Sequence, residues 1–259
     1  MKSIIKLFVF LLTFTIFSQK NEVHFTLKPT LTPDGNEVIY SYQGDLWKVS
    51  SNGGDAFRLT AMDGTETDPA VSPDGKWLAF SSNQYGNYDV YIMSLNGGEI
   101  KQLTFHQSND NVASWNWDSK IINFTSNRSN RITNFTISID GETPKRTFPH
   151  YFNTIHNVVQ HPKTDDIYFN ESWESSNFAN RKRYKGDYNP DIKSYNIATQ
   201  KFTKHTSYRG KDFGTTIDKN GTVYFKSDEY KGEYNLYQLE NGTKKRLTNF
   251  SASIMWPKV

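Results

Sequence analysis

The sequence predicts an all-β protein, a β-propeller that is incomplete, with about five four-stranded blades and the start of a sixth. Three observations predict this fold. Short apolar runs alternate with turn residues, 15% of the 259 residues are aromatic, and similar segments recur every forty or so positions. Strands favour aromatic and β-branched residues. A period of about 40 residues with several strands per repeat is typical of propeller blades.

The repeat is clearest in residues 31–60 and 71–104. Each segment contains a Pro-Asp-Gly turn, an apolar strand, a second strand, an Asn-Gly-Gly turn and a closing Leu-Thr. Three weaker copies follow, at residues 112–147, 158–206 and 213–248. The closing threonines are Thr60, Thr104, Thr147, Thr206 and Thr248. The segments therefore predict one blade each.

The chemistry of the Pro-Asp-Gly turn explains why it recurs. Pro presets the φ of a type I turn, Asp accepts local backbone hydrogen bonds, and Gly takes the left-handed position that lets the next strand leave. The third repeat replaces this turn with Trp117-Asp118-Ser119, and the fourth has His161-Pro162-Lys163. Because one Asp recurs at the same turn position, local turn bonding predicts a structural role for these acids rather than catalysis.

The first 18 residues are predicted to be a secretory signal peptide. Lys2 and Lys6 precede an apolar stretch at 7–17, and Ser18 is a small residue at a plausible cleavage point. The stretch is about half of the ~20 residues that a spanning helix needs, so cleavage is favoured over a membrane anchor. We expect a short lead-in at 19–27, a partial propeller at 28–259, no later membrane span, and a periplasmic or secreted location.

Composition argues against several other functions. The chain has no cysteine, which excludes disulfides and thiolate metal sites. Its formal net charge is +3, and +1 without Lys2 and Lys6, so there is no electrostatic case for nucleic acid. The six histidines lack metal-site spacing, and no Gly-x-Ser-x-Gly elbow or phosphate-binding loop occurs. We therefore predict no catalytic, metal-binding or cofactor-binding residue in this chain.

One irregular feature is a long insertion in the fourth repeat, roughly Asn170 to Pro190. It combines aromatic and basic residues, and propeller loops often carry binding functions. Its candidate contact residues, for peptide substrate or for another domain, are Trp173, Arg181, Lys182, Arg183 and Tyr184. The alternative is a solvated hairpin whose basic residues keep a sheet edge soluble.

The segment from Ser72 to Phe80, followed by Gly97-Gly98 and Leu103-Thr104, resembles the Pro-Asp-Gly propeller repeat of the periplasmic TolB protein and of the tricorn protease. A signal peptide followed almost at once by such repeats is most similar to the N-terminal propeller of secreted tricorn-like serine peptidases. The resemblance implies a propeller that guides or filters peptides in proteolysis. It also implies that the nucleophilic Ser lies in a later peptidase domain, after a PDZ domain.

Two alternatives to this resemblance stay open. One is a non-enzymatic, TolB-like periplasmic propeller that binds proteins. The other is the propeller of a dipeptidyl-peptidase-like hydrolase or an amidohydrolase.

The last residues resemble the beginning of a sixth repeat. Ile254 to Val259 aligns with residues 67–71, and no turn or second strand follows. Since propellers stay soluble by closing the ring, we expect a longer polypeptide whose missing C-terminal domains are partners of this one. A homo-oligomer that covers the open edges is the alternative.

Overall fold

The computed structural model describes residues 23–24, 26–129, 131–149, 154–171, 184–240, 242–255 and 257–258. Throughout those ranges the regular secondary structure is β-strand, arranged in five four-stranded antiparallel sheets. The predicted all-β fold with five four-stranded blades is confirmed. No long apolar helix of the kind that crosses a membrane occurs in these ranges. The predicted signal peptide lies outside them.

The strands follow one another from the inner to the outer edge of each sheet. The strands of blades 1 and 2 are β1 (Leu27–Leu31), β2 (Glu37–Tyr42), β3 (Asp45–Ser50), β4 (Phe57–Arg58), β5 (Glu66–Val71), β6 (Trp77–Ser82), β7 (Asp89–Ser94) and β8 (Ile100–Gln102). The strands of blade 3 are β9 (Asp110–Trp115), β10 (Ile121–Ser126), β11 (Thr133–Ser138) and β12 (Lys145–Arg146). The strands of blades 4 and 5 are β13 (Ile155–Gln160), β14 (Asp166–Glu171), β15 (Ile192–Asn196), β16 (Lys201–Lys204), β17 (Asp212–Ile217), β18 (Val223–Ser227), β19 (Asn235–Glu240) and β20 (Thr243–Arg246).

The hydrophobic core is divided into clusters between and within adjacent blades. Ile39 and Leu46 of blade 1 pack against Leu78 and Phe80 of blade 2, and all four side chains are fully buried. Fully burying one such side chain contributes about 1.5–3 kcal/mol. Stacking therefore holds the inner strands β1, β5, β9, β13 and β17 side by side in sequence order.

The Pro-Asp-Gly turns adopt the predicted geometry and also connect blades. Gly35 and Gly75 have φ of 74° and 71°, and Ser119 takes the same position with φ 59°. The backbone N–H of Asp74 in blade 2 donates to Ser119 Oγ in blade 3 at 3.0 Å. The Trp117 N–H of blade 3 donates to Gln160 Oε1 of blade 4 at 3.1 Å. These turns therefore link neighbouring blades.

The closing Thr of a repeat is hydrogen-bonded to the third strand of its own blade. In blades 1, 2, 4 and 5 its Oγ1 accepts the N–H of a residue in the third strand at 2.9 Å. In blade 2 the Thr104 hydroxyl also donates to Asp89 Oδ1 at 3.1 Å, and in blade 5 Thr248 donates to Asn235 Oδ1 at 2.9 Å. The acid or amide that starts the third strand is thus structural in these blades.

The ionisation of Asp89, the partner of Thr104, should make the free energy of unfolding depend on pH. Burial raises the pKa of Asp89 to about 6. Its contribution to stability is therefore fully present below about pH 4 and is lost as the pH rises through 6. Because Asn235 fills the same place in blade 5, we expect Asp89→Asn to fold. Its free energy of unfolding should fall less between pH 4 and 7 than that of the wild type, by about 1–3 kcal/mol.

Urea unfolding at a series of pH values checks this prediction. Asp191→Asn is the matched control, because Asp191 holds the same repeat position and pairs with Lys204 at 2.6 Å. Parallel pH profiles for the wild type and Asp89→Asn would contradict the prediction.

A hydrogen bond that connects successive blades recurs after the fifth blade. The first residue of β5, β9 and β17 donates its N–H to a carbonyl one or two residues before the third strand of the preceding blade, at 2.7, 2.7 and 3.0 Å. The N–H of Ile254 makes the same bond to the Tyr234 carbonyl at 2.9 Å. Ile254 therefore makes the hydrogen bond that the first residue of an inner strand makes in blades 2, 3 and 5.

Candidate functional site

The five inner strands surround a central cavity of about 920 Å³. The pairing of each inner strand with its neighbour contains an irregularity of the β-bulge kind. Four residues at these bulges have left-handed backbones: Lys28 (φ 49°), Asp68 (φ 54°), Asn157 (φ 53°) and Gly214 (φ 72°). A bulge bends a strand and re-aims its side chains. All four residues line the cavity, which we call the central channel. The repeated bulge therefore shapes the wall of this channel.

On the side of blades 1 to 3 the wall carries an ion pair and an amide. Lys28 Nζ lies 2.6 Å from Asp68 Oδ1, and Asn111 Nδ2 donates to Asp68 Oδ2 at 3.3 Å. Both charged groups remain in contact with water, so the pair contributes at most about 1 kcal/mol to stability. Its effect is to hold one positive and one negative group at fixed places on the wall.

On the side of blades 4 and 5 the wall is more enclosed. His156 is buried, its Nδ1 has no hydrogen-bond partner among the described residues, and burial lowers its pKa to about 4. The ring is therefore neutral at pH 7. The Lys226 Nζ lies 4.3 Å from the centre of the Phe213 ring, and burial lowers its pKa to about 8. A Cβ on Gly214 would lie 2.8 Å from Lys226 Cε, so the absence of a side chain there makes room for the lysine.

The channel wall as a whole combines both signs of charge with neutral polar groups. Its charged members are Lys28, Asp34, Asp68, Asp218, Lys219, Lys226 and Lys258. In the described part of the chain no three His, Cys, Asp or Glu side chains are grouped as metal ligands would be. Such a wall can form exchangeable hydrogen bonds with a polypeptide backbone, whereas no single-sign field favours an ion of one charge.

Three buried acids that join the blades were not singled out from the sequence. Glu66, Asp110 and Asp212 are fully buried, each is the first residue of an inner strand, and burial raises the pKa of each. Asp110 pairs with Arg128, and Asp212 Oδ2 lies 3.3 Å from Lys244 Nζ. Each acid also lies beside the closing Thr of the preceding blade. The signal was present, since each stands six positions after that Thr.

Most of the predicted contact residues lie outside the described ranges. Trp173, Arg181, Lys182 and Arg183 belong to this group. Tyr184 is described, and its carbonyl accepts a hydrogen bond from Asn189 Nδ2 at 2.7 Å. The same nitrogen donates at 2.7 Å to a carbonyl in the connection between blades 4 and 5. Tyr184 is thus tied to this connection, and a contact role for the insertion stays a prediction.

Comparison with known proteins relates the chain to peptidases and to TolB. Over residues 24–258 it matches the family described as the tricorn protease N-terminal beta propeller domain. The crystal structure of the tricorn protease superimposes with a TM-score of 0.71 at 16% identity, covering 89% of this chain and 23% of that chain. The structure of a protein from Agrobacterium tumefaciens described as TolB superimposes with a TM-score of 0.70 at 17% identity, covering 86% of this chain and 80% of that chain. At such identities the structural likeness shows the fold alone.

A curated relative matches a shorter part of the sequence. The uncharacterized peptidase YuxL of Bacillus subtilis (strain 168) is 39% identical over 66 residues. The match covers 23% of this chain and 10% of that relative. The chain thus spans only a small part of this relative and of the tricorn protease.

Proposed function

The chain belongs to the tricorn protease N-terminal β-propeller family, and from that premise we propose that it is the substrate-guiding propeller of a larger secreted or periplasmic serine peptidase. In this proposal unfolded peptides pass through the central channel on the way to a peptidase domain elsewhere in the polypeptide. The single observation that carries the proposal is the cavity of about 920 Å³ along the bulged inner strands of all five blades.

The size of the cavity argues against a folded domain as its occupant. Its volume of about 920 Å³ lies within the range of about 300–1,000 Å³ of sites that enclose small ligands, and it also admits an extended chain. An extended polypeptide advances about 3.3 Å per residue and is one chain thick, whereas a folded domain needs tens of ångströms in every direction. A channel of this size therefore supports the selection of unfolded segments.

The chemistry of the wall supports tolerance of many sequences. The Lys28–Asp68 pair presents both charges within 2.6 Å, and His156 stays neutral at pH 7. A peptide side chain of either sign meets a compensating group, and the peptide backbone meets polar partners such as Asn111 and Asn157. This pattern suits passage better than tight binding of one ligand.

The location and the whole-protein context belong to the same proposal. The sequence pattern at 1–18 supports secretion, and the hydrogen bond from Ile254 supports a ring that continues into a sixth blade. Under this proposal the catalytic Ser and its partners lie in another domain of the polypeptide. A homo-oligomer is compatible with it.

Blocking the channel tests the function. Ser114 lines the cavity, and the chain has no native cysteine. In the full-length protein, with any other cysteine removed, we expect Ser114→Cys carrying a bulky maleimide to lose at least about tenfold in hydrolysis of unfolded peptides, since peptides must pass it. Unlabelled Ser114→Cys should retain turnover. Labelled Glu99→Cys, at an exposed turn, is the control, and equal activity of the two labelled proteins would contradict the proposal.

A TolB-like, non-enzymatic propeller that binds proteins is the second candidate. The observation that favours it is the extent of the likeness to the A. tumefaciens protein, 80% of whose length is covered. Sequencing the gene beyond the codon for Val259 separates the two candidates. A reading frame that reaches a Ser-containing peptidase domain supports the first, and one that ends after the ring is complete supports the second.

A further inference from the structure

The two faces of the propeller are built from different segments of the chain. Because the strands of each blade alternate in direction, the turns after the first and third strands form one face, the turn face. The loops after the second strands and the connections between blades form the other, the loop face. Hydrogen bonds join these loop-face segments directly, since Asn87 Nδ2 donates to the His106 carbonyl at 2.8 Å and Asn189 Nδ2 to the Arg209 carbonyl at 2.7 Å.

Exposed aromatic side chains distinguish the loop face. Tyr85 is 73% exposed, Phe105 77% and Tyr188 65%, and Phe250 is also exposed. In the described turns of the turn face, Ile197 is the one large hydrophobic side chain that is exposed, and Leu31, Phe57 and Phe202 are exposed on strands beside those turns. These four aromatic rings stand on separate loops of one face, where each is a candidate contact for an apolar side chain of a partner.

The aromatic loops are connected to the mouth of the channel. Asn109, Asn127 and Ile132 lie in loop-face segments and also line the cavity. The N–H of Tyr88, in the same loop as Tyr85, donates to Asn109 Oδ1 at 3.0 Å. The loop that carries Tyr85 is therefore bonded to the channel rim, and Asn87 bonds it to the segment that begins at Phe105.

We propose that the loop face captures substrate, with Tyr85 and Phe105 binding apolar side chains of extended, unfolded polypeptide before it enters the channel. The proposal rests on the proposed function and assigns the receiving mouth and the side chains that first contact the substrate. Unfolded chains expose the apolar side chains that folded proteins bury. The aromatic residues sit on separate loops among polar neighbours, whereas a permanent domain interface has a continuous apolar core. An extended peptide therefore fits better than a folded partner.

A binding experiment on the full-length protein tests this assignment. The probe is a fluorescein-labelled unstructured peptide that contains Leu and Phe, followed by fluorescence anisotropy. We expect the double variant Tyr85→Ser, Phe105→Ser to raise its Kd about tenfold, in line with the loss of two aromatic contacts. The matched control is Phe57→Ser, Phe202→Ser, two exposed aromatic residues on the outer strands β4 and β16, which should change Kd less than about twofold.

Two further measurements make the result decisive. Replacing Leu and Phe of the peptide by Ser should abolish the difference between the wild type and the loop-face variant. Thermal melting should show that both double variants remain folded, since all four side chains are more than half exposed. The control variant should lose some stability without unfolding, because the Phe202 ring also packs against Tyr195 with 4.7 Å between ring centres. An unchanged Kd in the folded loop-face variant would overturn the inference. So would lost association with the other domains at unchanged peptide affinity.

Failure of this inference and failure of the proposed function give different results. If the loop-face variant binds peptide normally while a label at Ser114 still blocks turnover, peptides pass through the channel but are not captured by these side chains. If the label leaves turnover intact, the channel is not the route, whatever the loop face binds.

Discussion

Replacing Asp110 with Ala is expected to lower the free energy of unfolding by about 3 kcal/mol, because the largely buried guanidinium of Arg128 loses its counter-ion. Asp110 is fully buried, and its partner Arg128 is only 14% exposed. Arg128 also lies over the rings of Phe124 and Phe135, at 5.4 and 5.3 Å from their centres, so it cannot turn to water without losing those contacts. Urea unfolding followed by tryptophan fluorescence measures the loss.

Two further variants identify the cause of that loss. Asp118→Ala removes an acid from an exposed turn and should cost less than about 1 kcal/mol. Adding Arg128→Met to Asp110→Ala removes the stranded charge and should restore part of the lost stability. If Asp110→Ala is no less stable than Asp118→Ala, the buried Asp110–Arg128 pair does not stabilise blade 3 as described.

Replacing Gly64 with Ala is expected to cost a similar amount, about 3 kcal/mol, for a different physical reason. Gly64 lies in the connection between blades 1 and 2 and has a φ of 125°, a conformation that side chains rarely adopt. A Cβ there would lie 2.7 Å from Asn83 Oδ1 and 2.9 Å from the backbone nitrogen of Gln84. It would also disturb the 2.7 Å hydrogen bond from the Thr65 N–H to Asn83 Oδ1.

Gly86→Ala is the matched control for this effect. Gly86 also has a left-handed backbone, with φ of 108°, but a Cβ there would meet open space. It should therefore show the backbone strain alone, about 1–2 kcal/mol. Equal losses for the two variants in urea unfolding would mean that the contact between the blade connection and the Asn83 loop is not tight.

The repeat and the blades could be predicted from the sequence because their signals are local. Gly35 and Gly75 mark turns that depend on a few consecutive residues, and the closing Thr recurs at a regular spacing. The role of Ser119, which replaces the Gly of the turn motif, could not be predicted in this way. Its hydroxyl accepts the N–H of Asp74 in another blade, 45 positions away, so this departure from the motif provides a contact between blades.

The channel was less accessible to sequence reasoning, because its residues come from five blades. His156 and Lys226 owe their lowered pKa values to burial, which no neighbouring residue in the sequence reveals. The aromatic and basic composition of the insertion at 170–190 predicts a contact role, whereas the exposed Tyr85 and Phe105 stand in loops of ordinary composition. Their shared position on one face becomes visible only when the direction of each strand is known.

Photocrosslinking of a substrate peptide tests most directly whether polypeptide passes through the channel. An unstructured peptide with a photoreactive side chain would be irradiated with the full-length protein, and the attached residues mapped by mass spectrometry. Passage through the channel predicts crosslinks to inner-strand residues such as Asn111 and Ser114, lost when a label fills the channel at position 114. Crosslinks confined to the outer strands, around Phe57 and Phe202, would contradict a guiding role for this propeller.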